Sequence, residues 1–101
     1  MNAVNKIKAW ASERSSFYFF LPDGSYGRPF DNQYTIQQIE SNDSELEIKF
    51  NEGFILQFIG VPDVIQEECN LLISGYYSFR FEGPEGLLKH FDYGEVVLTG
   101  F

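Results

Sequence analysis

Histidine, cysteine and positive charge are all scarce in this chain, and each shortage closes off a class of chemistry. A single histidine, His90, leaves no imidazole pair for a zinc site and no second ring to share acid–base work. A single cysteine, Cys69, excludes an intramolecular disulfide and fits a reducing compartment, although a lone thiol can still bridge two chains. Its neighbours Glu67 and Glu68 disfavour the thiolate, so an inert cysteine is expected rather than a nucleophile. Seven cations face fifteen carboxylates, for a net charge of −8. The imbalance is uneven: Lys6, Lys8 and Arg14 outweigh Glu13 over residues 1–14, leaving +2, whereas residues 15–101 carry −10. A body of that sign repels phosphate backbones and excludes nucleic acid as the expected partner. It attracts basic proteins and keeps the chain in solution.

Long apolar runs are missing as well. No stretch approaches the roughly 18 residues of a membrane span, and MNAVNKIKAW has no signal-like apolar core. The expectation is a cytoplasmic protein with no membrane partner. Neither a phosphate-binding glycine loop nor a dinucleotide fingerprint follows any strand-like segment, and Asn42-Asp43 lacks the oxygen spacing of a calcium loop. No metal or other cofactor is called for. With fifteen carboxylates, pairs such as Glu45 and Glu47 are inevitable and carry no hydrolytic signature. His90 and Asp92, two apart on one strand face, read as a surface contact. The sequence therefore points away from an enzyme.

What the chain has in quantity is aromatic surface: 11 Phe, 6 Tyr and 1 Trp make up 18% of 101 residues. Flat and β-branched side chains suit a pleated sheet. Only residues 2–12 show helical spacing, with Val4, Ile7 and Trp10 on one face and Asn2 available as the cap. FYFFL (17–21) reads as a covered strand, and QYTIQQIE (33–40) as a strand whose alternation slips at a bulge near Gln37 and Gln38. In ELEIKFNEGFILQF the loop Asn51-Glu52-Gly53 pairs Phe50 with Phe54, Ile48 with Leu56 and Leu46 with Phe58. All six apolar residues then share a face. LLISGYYSFRFE (71–82) reads as one long strand bent at Gly75, or two strands sharing that bend. Residues 87–93 and 95–101 would form a last hairpin about Gly94, with the C-terminal segment as an edge strand.

These elements predict one domain over residues 1–101 in the mostly β (α+β) class. A short N-terminal helix packs on a curved antiparallel sheet or partial barrel of about seven strands.

Two candidate sites follow. LPDGSYGRPFDNQY (21–34) is rich in turn residues, and could present Tyr26, Arg28, Asp31 and Asn32 on a stiff loop as binding anchors. Alternatively, Phe19, Tyr77, Phe79, Phe81, Phe91 and Tyr93 could line an aromatic cavity for a lipid or another small molecule. The leading functional expectation is a non-catalytic acidic interaction domain, for example an inhibitor or immunity-type binder of a basic protein. Homodimerisation through the C-terminal strand is a further expectation.

Overall fold

A computed structural model of the chain describes residues 2–13, 17–21, 24–26, 35–92 and 94–100, with backbone alone at 17–19 and 24–26. Helix α1 (Ala3–Ser12) begins as its sequence predicts: Asn2 Oδ1 accepts the Asn5 N–H at 2.8 Å. That bond satisfies one of the donors a helix start leaves without an intrahelical partner. Ile7 and Trp10, three apart, are wholly buried, each contributing roughly 2–3 kcal/mol or more of transfer free energy.

Ten short strands follow: β1 (Phe17–Leu21), β2 (Gly24–Tyr26), β3 (Ile36–Ser41), β4 (Glu45–Phe50), β5 (Ile55–Ile59), β6 (Asp63–Glu67), β7 (Asn70–Ser74), β8 (Ser78–Gly83), β9 (Gly86–Phe91) and β10 (Val96–Gly100). They form two antiparallel five-stranded sheets, one ordered β2-β1-β10-β7-β6 and the other β3-β4-β5-β8-β9. Here these are the first and second sheet. Val64, Leu71, Ile73, Val96 and Leu98 of the first share one buried cluster with Leu46, Ile48, Leu56, Phe58, Phe79 and Phe81 of the second. Helix α1 packs on β6 and on β3. It joins one edge of each sheet and closes that side of the core. The expected mostly β fold, one short helix on curved antiparallel sheet, is therefore present among the described residues; its strands divide between two sheets that do not close into a barrel.

Local readings hold where the determinants are close in sequence. β4 and β5 pair in the expected register, Ile48 with Leu56 and Leu46 with Phe58, with Phe50 N–H donating to Phe54 O at 2.7 Å. The tip takes left-handed backbone at Glu52 (φ 61°) and Gly53 (φ 82°). The register of β3 skips between Ile36 and Gln38, which is the bulge that the slipped alternation requires. Asn42, in the segment that fails as a calcium loop, instead makes a turn: its Oδ1 accepts the N–H groups of Ser44 and Glu45 at 2.9 and 3.0 Å.

One open alternative is decided and two expectations are corrected. Residues 71–82 are two strands in different sheets, β7 in the first and β8 in the second. The chain crosses between them at Gly75, whose φ of 77° suits a residue without a Cβ. β9 and β10 form no hairpin: β9 pairs with β8, and β10 pairs with β1 and β7. The C-terminal strand is thus the centre of its sheet, with both edges occupied, and offers no backbone edge to a second copy. It is apolar because it is central: Val96 and Leu98 are wholly buried.

Candidate functional site

Of the loop candidates, Arg28, Asp31 and Asn32 lie outside the described residues. Tyr26 is on β2, where its backbone pairs with Phe19 of β1. Leu21 pairs with Gly24, so β2 lies antiparallel beside β1 as an edge strand the sequence did not announce.

The aromatic candidates divide. Phe79 and Phe81 are wholly buried, and ring meets ring: Phe58–Phe79 centroids lie 5.9 Å apart, Phe79–Phe91 5.4 Å and Phe54–Phe81 5.7 Å. These rings fill the core rather than line a space. Tyr77 is 81% exposed, and its neighbour Tyr76 takes the inward place, meeting Phe58 at 5.2 Å and Phe79 edge-on at 5.5 Å. The inward parity is the same in both strands, 71 and 73 before the crossing and 79 and 81 after it, and only at the crossing does Tyr76 replace Tyr77 as the buried ring. Phe19 is described by its backbone alone, and Tyr93 lies outside the described residues. Burial, and secondarily the charge of Glu95, pushes the Tyr76 phenol up to about 12. Among the described residues no hydrogen-bond partner reaches its hydroxyl.

His90 Nε2 lies 3.5 Å from Asp92 Oδ1 with both side chains well exposed, which is the surface contact expected. Among the described residues no three His, Cys, Asp or Glu side chains stand close enough to hold a metal. Among the described residues no helix is long and apolar enough to cross a membrane. Cys69 is half-buried in the two-residue turn between β6 and β7.

The four sheet edges are each modified against strand addition. β2 has three residues, β3 is bulged and carries α1, and β9 is irregular at Leu88 beside Lys89. On β6, the Lys6 ammonium reaches over from α1 and donates to Val64 O at 3.1 Å. Short length, bulges and an edge lysine all discourage pairing with another strand.

The two outer faces differ sharply. Register across the second sheet aligns Glu40, Glu47, Gln57, Arg80 and His90 in one row. Its two cations each stand beside carboxylates. Lys49 lies 3.7 Å from Glu40 and 3.6 Å from Glu47, Arg80 lies 3.3 Å from Glu82, and Gln57 donates to Glu45 at 3.2 Å. Each such exposed pair contributes about 0–1 kcal/mol.

Register across the first sheet aligns Phe20, Val97, Leu72 and Ile65, four apolar side chains from four adjacent strands. At strand spacing the row is about 14 Å long. Its ends, Phe20 and Ile65, are 36% and 55% exposed, and Val97 and Leu72 between them are half-buried. On one side runs Glu67–Asn70–Thr99, where Thr99 Oγ1 bonds Asn70 Oδ1 at 2.9 Å. On the other, Asp63 pairs with Ser74, and Glu95 shares the parity of Val97. Ile65 also borders a groove of about 380 Å³ between α1 and β6, lined by Lys6, Ala9, Val64 and Gln66. No single segment of sequence carries this apolar row, which is why sequence reasoning did not find it.

Comparison with known proteins finds no match: no family model, no curated protein and no solved structure is similar to this chain.

Proposed function

We propose that this protein is a non-catalytic interaction domain that meets a more basic protein, an inhibitor or immunity-type binder being its most concrete form. One observation carries the reading: the sheet edges are blunted, while an apolar row bordered by carboxylates is partly exposed on a face, most of all at Ile65. Edges of this kind disfavour association by strand addition, whereas a partly exposed apolar strip favours association face-on. The net charge of −8 selects among partners, because opposite charge speeds encounter and like charge suppresses it. Small-molecule binding between aromatic rings has no comparable support, since Phe79 and Phe81 are spent on the core.

Affinity capture of the tagged protein from its native lysate, at low and moderate salt, tests the proposal. The expected result is a basic protein held at low salt and shed at moderate salt, because exposed charges are screened over roughly 8–10 Å. Retention of nothing at either salt overturns it.

A further inference from the structure

Resting on that reading, the geometry points to the docking surface and to what it takes: the outer face of the first sheet binds an extended basic segment in which one apolar residue stands between two cations. On β6, Asp63, Ile65 and Glu67 alternate outward while Val64 turns into the core. The strand thus presents acid, apolar group and acid in line, with the two carboxylates about 13 Å apart at strand rise. A segment laid along β6 with the same two-residue period puts a cation over each carboxylate and an apolar side chain on Ile65. From Ile65 the apolar row continues to Leu72 and Val97, where the rest of the partner is seated.

A second copy of this chain does not fit. It would bring its own Asp63, Glu67 and Glu95 against the same three groups, and like charges facing each other oppose docking. The outer face of the second sheet is a poorer dock, since the row its register aligns, Glu40, Glu47, Gln57, Arg80 and His90, is polar throughout and offers no apolar strip. Strand addition along the β6 edge is blocked where Lys6 holds Val64 O, so the segment lies on the face.

The test is a titration of the isotope-labelled protein, followed by amide chemical shifts, with a short peptide carrying leucine between two lysines at alternate positions. Shifts are expected at residues 63–67, 71–73 and 96–98, and none with the same peptide carrying glutamates for lysines. Ile65→Ser weakens binding about tenfold, the cost of truncating a contact at the centre of an interface. Glu67→Gln weakens it about threefold, as loss of an exposed charge pair does. Both side chains are exposed, so both variants keep the fold. Shifts that map to the second sheet, no shifts at millimolar peptide, or affinities indifferent to both substitutions overturn the assignment. Should Ile65→Ser still capture the basic lysate protein undiminished, this surface is wrong and the interaction reading stands. Should nothing be captured by the unaltered protein, the reading itself falls.

Discussion

Tyr76→Phe should make this protein more stable, and should do so increasingly above pH 10. The ring is held by Phe58 and Phe79 at 5.2 and 5.5 Å, and phenylalanine keeps those contacts. What the substitution removes is a hydroxyl on a residue only 8% exposed, with no hydrogen-bond partner among the described residues. Burying such a group costs about 1–3 kcal/mol, so the variant should gain about 1 kcal/mol at pH 7. For a domain of this size that is a rise in Tm of about 4–8 °C.

The pH dependence follows from the phenol's raised pKa of about 12, set first by burial and then by Glu95. Below pH 10 both folded and unfolded chains hold the proton and Tyr76 adds no slope. Between about 10 and 12 the unfolded chain releases it while the fold retains it. Stability then falls by about 1.4 kcal/mol per pH unit, to a total of about 3 kcal/mol. Tyr76→Phe lacks this loss. Urea unfolding of both proteins from pH 7 to 11.5 measures the difference directly, because the other five tyrosines are common to both. A variant less stable than the parent at pH 7 would show that the hydroxyl is bonded. A stability difference that stays constant above pH 10 would refute the burial argument.

Two further substitutions test how the layers are joined. Gly75→Ala should destabilise by about 1–3 kcal/mol, since φ is +77° and the new Cβ would lie 2.6 Å from Asp63 Oδ2. Adding Asp63→Ala separates the two causes: thermal melts of the double variant should recover the clash but not the backbone strain, and full recovery would show that the strain is negligible. Asn2→Ala should cost about 1 kcal/mol through loss of the helix cap, with faster hydrogen exchange concentrated in α1. Unchanged exchange there would mean that burial of Ile7 and Trp10 alone sets the helix start.

Much of the secondary structure was legible because its causes are short-range. The cap at Asn2, the Asn51–Gly53 loop with its register and the bulge at Gln37 each depend on residues within a few positions. The errors share one origin. Apolar residues on a covered strand look alike whether the strand is central or at an edge, so the terminal segment passed for an edge when it is the middle of its sheet. Likewise, the alternation in LLISGYYSFRFE continues smoothly on paper through Gly75. Only the crossing between layers exchanges Tyr77 for Tyr76 as the buried ring. Of the aromatic candidates, Phe79 and Phe81 keep the expected inward parity, and whether rings so placed touch or leave space depends on which layers meet.

By itself, the amino-acid sequence determined the mostly β class, the N-terminal helix, the acidic balance and the main hairpin, because propensity, charge and turn chemistry act locally. Tertiary structure alone decided which strands share a sheet, how each edge is blunted, and that Phe20, Val97, Leu72 and Ile65 stand side by side. Those four are scattered along the chain, and only long-range pairing brings them into one row.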